Sequence, residues 1–149
     1  MVMKLKERLM RYYDVKTSWV GAMLRIFLGL SLLYAGISHL TFARLEFVAQ
    51  VPAWVPLPVD LVVILSGIVE ISLGLALIVL PKWKALVGLA TAIFFVLIFP
   101  GNIAQYVNQV DAFGLESDQA RLIRLFFQPL LVLWALWSTA AYKVFSKRK

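Results

Sequence analysis

The sequence predicts an all-α fold: a four-helix bundle embedded in a membrane as a single domain, residues 1–149. Three observations predict it. Of the 149 residues, 62% are hydrophobic and 15% are charged, and the mean hydropathy is +0.85, so a soluble domain of this size would have too little polar surface to cover itself. Four apolar segments each approach the ~20 residues that cross a bilayer core. The basic residues flank these segments, as membrane topology requires.

We assign the four apolar segments to helices at residues 19–40, 60–80, 84–106 and 121–142. They must be helices, because an open strand edge is not tolerated in lipid. Residues 1–18 are basic, with apolar side chains interspersed. This segment either lies as an amphipathic helix on the anionic inner leaflet or stays a solvated tail that only sets orientation. The first outer connection is short and rich in proline, and we expect it to fold over the bundle.

Topology follows from the distribution of charge. Basic residues concentrate at Lys4, Lys6, Arg8, Arg11 and Lys16, at Lys82 and Lys84, and at Lys143, Lys147, Arg148 and Lys149. The other two connections are acidic, with Glu46 and Asp60 in one and Asp111, Glu116 and Asp118 in the other. The positive-inside rule therefore predicts that both termini and the 82–84 turn are cytoplasmic. Arg44 is the one basic residue clearly on the opposite side.

The composition also excludes several kinds of site. The chain has no cysteine, which excludes disulfides, thiol redox chemistry, Cys-ligated metals and iron–sulfur clusters. Its one histidine is His39, so we expect no metal site, no haem and no covalent cofactor. The net charge of +7 is carried by residues beside apolar segments. We therefore expect membrane lipids, and not nucleic acid, as partners.

Two ionisable residues interrupt the apolar segments: Arg25 in the first and Glu70 in the second. A charge near the bilayer centre costs roughly 2.5–3.5 kcal/mol, so such residues are kept for a partner, a cavity or a task. At 1.5 Å per residue, Arg25 lies ~9 Å from the inner end of its helix and Glu70 ~15 Å from the outer end of its own, a vertical gap of about 6 Å. We predict a buried Arg25–Glu70 ion pair, either structural or functional.

A second polar cluster is predicted in the outer half of the bundle. Helical periodicity brings to it His39, Asn102, Gln105, Arg121, Arg124 and Gln128, with Tyr34 near by. Arginine suits anions and carbonyls, and histidine transfers protons near neutral pH. His39 is therefore the candidate catalytic residue, and the others are candidate ligands for a quinone ring, an isoprenoid phosphate or a lipid headgroup. Alternatively, His39 only caps carbonyls or faces headgroups, and the two arginines snorkel to phosphates.

Several short phrases follow one another in a characteristic order. They are Arg25-Ile26-Phe27-Leu28-Gly29, Ala35-Gly36-Ile37-Ser38-His39, Pro52-Ala53-Trp54-Val55-Pro56-Leu57-Pro58, Ser66-Gly67-Ile68-Val69-Glu70, Phe99-Pro100-Gly101-Asn102, and Arg121 to Gln128 followed by Leu133-Trp134-Ala135. In that order and spacing, over residues 20–139, they resemble the DoxX-like family of small bacterial membrane proteins. One departure is Gly101, where relatives usually have alanine before the asparagine.

This resemblance implies four transmembrane helices in a bacterial inner membrane. It also implies a link to quinone chemistry, because the founding DoxX and DoxD proteins belong to a thiosulfate:quinone oxidoreductase. Other relatives are associated with oxidative-stress redox complexes, and many have no assigned function. The resemblance therefore implies the fold more firmly than the chemistry.

Three functions remain open from the sequence, in this order of preference. The first is an oxidoreductase subunit that binds a quinone or an isoprenoid-like lipid and serves a redox partner protein, because the chain itself has no thiol and too few ligands for a redox metal. The second is a non-catalytic protein that binds lipid or assembles a complex. The third is a small proton-linked transporter built around Glu70, for which we expect a homodimer because four helices form a narrow pathway at best.

Overall fold

The structure is a computed structural model that describes residues 2–146. The predicted basic positions Lys147, Arg148 and Lys149 lie outside the described residues. The helices are α1 (Val2–Met10), α2 (Trp19–Leu40), α3 (Arg44–Gln50), α4 (Val59–Val79), α5 (Lys84–Val107), α6 (Asp118–Ser138) and α7 (Lys143–Ser146), with a 3₁₀ turn at Pro81–Trp83. No strand occurs between residues 2 and 146. The helices α2, α4, α5 and α6 are each long and apolar enough to cross a membrane, which confirms the predicted all-helical class with four candidate spans.

The observed helix bounds agree with the predicted ones except at α6. This helix begins at Asp118, three residues before the predicted start, because the hydroxyl of Ser117 caps it by accepting a hydrogen bond from the Ala120 amide. It ends at Ser138, four residues before the predicted end, because the backbone turns at Ala140, where φ is +54°. Hydrophobicity continues past this turn, so composition alone could not locate it.

The helices α2 and α4 form an antiparallel pair held by close backbone contact. A Cβ atom built at Gly74 would lie 2.6 Å from the carbonyl oxygen of Gly29, and one built at Gly36 would lie 2.7 Å from that of Gly67. No side chain fits at these crossings, so the four glycines allow the two backbones to touch.

The helices α5 and α6 form a second pair that is joined by polar side chains. Asn102 Nδ2 donates to Gln128 Oε1 at 2.9 Å, and Gln128 Nε2 donates to the carbonyl oxygen of Phe95 at 2.7 Å. Pro100 lies inside α5 and lacks the N–H that would bond one turn back. The Gln128 amide thus reaches the part of α5 where the helical hydrogen bonds are interrupted.

The two pairs meet around a small buried core, and the bundle has two distinct ends. The core contains Leu28, Leu32, Leu77, Ala92, Phe95 and Ala135. At one end, the Asp14 amide donates to the carbonyl oxygen of Lys82 at 2.6 Å, and Lys143 Nζ donates to that of Lys16 at 3.0 Å. We call this the terminal end, and we call the opposite end, which carries residues 41–58 and 108–117, the loop end. A 100° helical period puts glycines and polar residues on one face of each long helix, and these residues are mostly buried.

Candidate functional site

A cavity of about 660 Å³ lies between the two helix pairs in the loop-end half of the bundle. This volume falls within the range of small-molecule sites. Seven aromatic side chains line it, namely Tyr34, Phe47, Trp54, Phe94, Phe95, Phe113 and Trp134. Its polar lining includes His39, Glu70, Gln50, Asn102, Arg124 and Gln128, together with the hydroxyls of Ser31, Ser38 and Ser66. The cavity is therefore apolar over most of its wall and polar at a few defined points.

His39 and Glu70 form the polar contact on the α2–α4 wall. His39 Nδ1 lies 2.8 Å from Glu70 Oε2 and 3.0 Å from the carbonyl oxygen of Ala35, and both ionisable side chains are less than one-tenth exposed. Two acceptors face Nδ1, so we assign the ring hydrogen to this nitrogen. The ring geometry directs that hydrogen to Ala35, which leaves Glu70 Oε2 in close charge contact but without an aligned hydrogen bond.

The second ring nitrogen of His39 is available to a ligand. Nε2 makes no hydrogen bond to any residue of the described chain, and the ring is stacked on Phe47 with the centroids 3.3 Å apart. With the hydrogen on Nδ1, neutral His39 offers a lone pair at Nε2, and the protonated ring offers a donor there. The Glu70 carboxylate lies beside the ring on the Nδ1 side, so it leaves Nε2 free.

The predicted Arg25–Glu70 ion pair is wrong. Gly29 faces Gly74 in the antiparallel pair. Arg25 lies four residues before Gly29 and is therefore level with Ile78. Ile78 lies eight residues, or about 12 Å, along α4 from Glu70. Side chains in a helix lean toward its N-terminus. In this antiparallel pair His39 and Glu70 therefore lean toward each other, whereas Arg25 leans away from Glu70 toward the terminal end. Helix rise alone puts the two residues too close in depth, because it takes no account of the direction in which each side chain leans.

Gln50, from the short helix α3, joins the α5–α6 wall to the connecting segment. Its Oε1 accepts a hydrogen bond from Arg124 Nη2 at 3.2 Å, and its Nε2 donates to Gln105 Oε1 at 2.7 Å. The Arg124 guanidinium also lies over the ring of Phe113, 5.0 Å from its centroid, a cation–π contact. The bond to Gln50 is the only hydrogen bond that Arg124 makes within the described chain. Most of its five N–H donors therefore remain free for a ligand.

Two predicted ligand residues lie behind the cavity wall. Arg121 Nη1 donates to Asp111 Oδ1 at 2.6 Å and to the carbonyl oxygen of Leu115, while Nη2 donates to Asp118 Oδ1 at 2.9 Å. Gln105 is 1% exposed, and its amide is hydrogen-bonded to Gln50 and to the 110–112 connection. Both side chains are used to order connections. The sequence did not show that the acidic 111–118 loop folds back onto Arg121.

The other predicted residues line the cavity, and one of them, Tyr34, is much more exposed than the rest. His39, Asn102, Arg124 and Gln128 lie on its wall as expected. Tyr34 also lines it, but its side chain is 67% exposed and tilted against Phe42.

Phe47 and Gln50 are cavity residues that the sequence did not indicate. They lie three residues apart, on one face of α3, and this segment is too short to show a clear helical period. The available signal was that Glu46, Phe47 and Gln50 interrupt an otherwise aliphatic segment just before the prolines. Glu46 fixes this arrangement by accepting a hydrogen bond from the Phe113 amide at 2.6 Å.

Comparison with known proteins identifies the family but no activity. A family described as "Domain of unknown function (DUF8561)" matches residues 28–139, which is most of the chain, and the protein belongs to this family. The matched region contains every residue of the cavity wall and excludes Arg25. No curated protein and no solved structure has detectable similarity to the chain. The DoxX-like resemblance is tested by none of these comparisons and stays a prediction.

Proposed function

We propose that the protein binds a quinone, or a related isoprenoid lipid, in the loop-end cavity and serves as a membrane subunit of a redox system. The observation that carries the proposal is that His39 and Arg124 both line one largely apolar cavity of about 660 Å³. A quinone needs apolar walls for its ring and tail, and it needs donors for its carbonyl oxygens. The cavity offers both.

The proposed roles follow from the contacts of each residue. Arg124 has unused guanidinium donors and is held over Phe113, so it is suited to fix one carbonyl oxygen of the ring. His39 exchanges a proton at Nε2, and Glu70 stabilises the ring while it is protonated. Reduction of a quinone takes two electrons and two protons. In this proposal the electrons come from a partner protein and the chain supplies a path for protons.

Orientation and access are part of the proposal. The basic terminal end lies in the cytoplasm by the positive-inside rule, so the cavity lies in the outer half of a bacterial inner membrane. The segment 44–55 covers the cavity, since Phe47 stacks on His39 and Val51, Pro52, Trp54 and Val55 line the wall. Movement of this segment would admit the headgroup, and its Gln50 contacts with α5 and α6 would hold it closed.

Tryptophan fluorescence tests ligand binding directly, because Trp54 and Trp134 both line the cavity. Purified protein in detergent is titrated with a short-chain quinone, and the quenching gives a Kd. We expect His39→Ala and Arg124→Ala to weaken binding about tenfold or more, the loss expected for a ligand hydrogen bond with a charged group. The matched control is Arg44→Ala, which removes an arginine at the same end whose partner is Asp60 and which does not line the cavity. Equal affinity in all three variants would contradict the proposal.

A non-catalytic lipid-binding or assembly role is the second candidate. The observation in its favour is that His39 is already held by Ala35 and Phe47, an arrangement that needs no proton transfer. Native mass spectrometry of gently purified protein separates the two roles. A co-purified quinone or isoprenoid that is absent from the His39→Ala, Arg124→Ala double variant supports the first role. Bulk phospholipid that is unaffected by the substitutions supports the second.

The transporter hypothesis needs a separate measurement. It requires proton-dependent uptake into proteoliposomes that is lost in Glu70→Gln while the variant remains folded. Retention of full uptake in that variant would exclude Glu70 as the coupling residue.

A further inference from the structure

Arg25 is a buried cation without a partner in the described chain. The residue is 6% exposed, and its Nε and Nη1 atoms are closed off from solvent without a hydrogen bond. A buried guanidinium normally has a carboxylate or several carbonyl oxygens around it, because leaving its donors unpaired is costly. The third nitrogen, Nη2, is not closed off in this way, and it also makes no hydrogen bond to residues 2–146. It is the atom that an external anion would reach.

A second buried cation, Lys84, lies at the same end of the bundle, close enough to Arg25 for their charges to interact. It is 9% exposed, and its Nζ makes one long hydrogen bond of 3.3 Å to the carbonyl oxygen of Pro81. The charges that act on it are those of Arg25, Lys143 and Asp14. Of these three charges, two are positive and one is negative. The local charge is complementary to an anion.

The three helices that surround these cations converge closely. A Cβ atom at Gly21, one turn before Arg25, would lie 3.4 Å from the carbonyl oxygen of Ser138, and one at Gly88 would overlap Thr139. The hydroxyl of Ser138 is fully buried and has no hydrogen-bond partner in the described part of the chain. Because the Arg25 side chain leans toward the N-terminus of α2, its donors point to the same end as Lys84 and Ser138.

We propose that the terminal end binds the phosphate of an anionic phospholipid headgroup through Arg25 and Lys84. Guanidinium donors match phosphate oxygens in pairs, and the ammonium of Lys84 adds a point charge. This site uses no residue of the loop-end cavity, so the lipid proposal does not depend on the proposed quinone function.

A lipid is favoured over a free phosphate by the surface next to Arg25. Met23 is 60% exposed and Ile26 is 40% exposed, so the outer face of α2 offers apolar surface on which acyl chains can lie. Trp19 and Tyr142 are exposed at the same end, the position that aromatic anchors take at the headgroup level.

Thermal unfolding of the full chain in a neutral detergent tests the site. The probes are phosphatidylglycerol, phosphatidylcholine and inorganic phosphate, each titrated separately. We expect phosphatidylglycerol to raise Tm and phosphatidylcholine to have little effect. In Lys84→Gln the apparent phosphatidylglycerol affinity should fall roughly tenfold, the loss expected for one charge-assisted contact. The matched control is Lys82→Gln, which removes an exposed lysine from the same turn.

Arg25→Met distinguishes binding from a purely structural role. It replaces an unpaired buried charge with an apolar side chain, so the lipid-free Tm should stay equal or rise while the response to phosphatidylglycerol is lost. A lower lipid-free Tm with an intact lipid response would overturn the proposal. An equal loss of affinity in Lys82→Gln and Lys84→Gln would also overturn it, because it would indicate diffuse surface attraction. If inorganic phosphate raises Tm as much as the lipid, and Arg25→Met abolishes this, the site is confirmed with a free anion as its ligand.

Discussion

The two helix pairs of the bundle are built on different contacts. In the α2–α4 pair the backbones touch at Gly29, Gly36, Gly67 and Gly74. In the α5–α6 pair, side-chain amides of Asn102 and Gln128 bridge the helices and bond to the backbone. Backbone contact leaves no space at the glycine crossings, and the ionisable residues His39 and Glu70 lie on the side of the pair that faces the cavity.

This difference indicates where a ligand can be accommodated. The glycine pair forms a wall with little freedom to adjust, and it carries His39 and Glu70. The amide-bridged pair carries the donors of Arg124, which is also tied to α3 through Gln50. The cavity lies between the walls. Trp134 lines it and joins the two pairs, because its Nε1 donates to the carbonyl oxygen of Leu24 at 3.1 Å. The rigid wall with His39 and Glu70 thus faces a more adjustable set of hydrogen-bond donors.

The largest effect that this comparison predicts is at the glycine contacts. Gly74→Ala should lower the free energy of unfolding by about 3 kcal/mol, the upper part of the overpacking range, because its Cβ would lie 2.6 Å from a backbone oxygen that cannot rotate away. Reversible unfolding in mixed detergent micelles measures this change. The control is Gly101→Ala on the other pair, where the nearest atom is 3.4 Å away and helix propensity favours alanine by up to about 1 kcal/mol. Similar effects at both positions would refute the backbone-contact account.

The His39–Glu70 contact should give the next largest effect. We expect a double-mutant cycle of His39→Ala and Glu70→Gln to show a coupling of about 1–2 kcal/mol in unfolding free energy, since the two side chains are in direct contact. A parallel cycle of Arg25→Met and Glu70→Gln should be additive within about 0.5 kcal/mol, because these residues are far apart. Coupling in the second cycle and none in the first would restore the ion pair expected from the sequence.

The amide bridge between α5 and α6 should contribute less than either of these. A cycle of Asn102→Ala and Gln128→Ala should give a coupling of about 0.6 kcal/mol and at most about 1.7 kcal/mol, the range measured for hydrogen bonds between membrane helices. The same unfolding assay applies. A coupling above that of His39 and Glu70 would mean that the amide-bridged pair, and not the glycine pair, dominates the stability of the bundle.

The architecture was predictable because it depends on patterns that persist over many residues. Four apolar segments gave three of the four long helices to within a residue at either end, and the 100° period placed Gly29, Gly67 and Gly74 on interior faces. These signals average over whole helices, so a local deviation does not remove them. The α6 end was missed because one residue, Ala140, has positive φ, and composition does not encode that turn.

The site was less predictable because side-chain pairing depends on direction and register. The sequence placed His39, Arg124 and Gln128 in one region, and they do line one cavity. It assigned Glu70 to the wrong partner, because depth alone does not tell which way a side chain leans. It also left out Phe47 and Gln50, whose positions depend on how a short connecting helix returns to the bundle.

The smallest effect is expected at the ion pair between Arg44 and Asp60, although two nitrogens of the arginine donate to the carboxylate. Arg44 donates from Nε and Nη2 to the Asp60 carboxylate at 2.6–2.9 Å, but the two side chains are 35% and 63% exposed. Exposed pairs contribute about 0.2–1 kcal/mol and are screened by salt, so Arg44→Ala should cost about 0.5 kcal/mol or less, and the cost should shrink further in high salt. Unfolding of Arg44→Ala and Asp60→Asn at low and high ionic strength measures both quantities. A loss of unfolding free energy that equals that of Gly74→Ala and does not respond to salt would contradict this expectation. It would mean that the Arg44–Asp60 pair holds segment 44–55 in place more than Gln50 does.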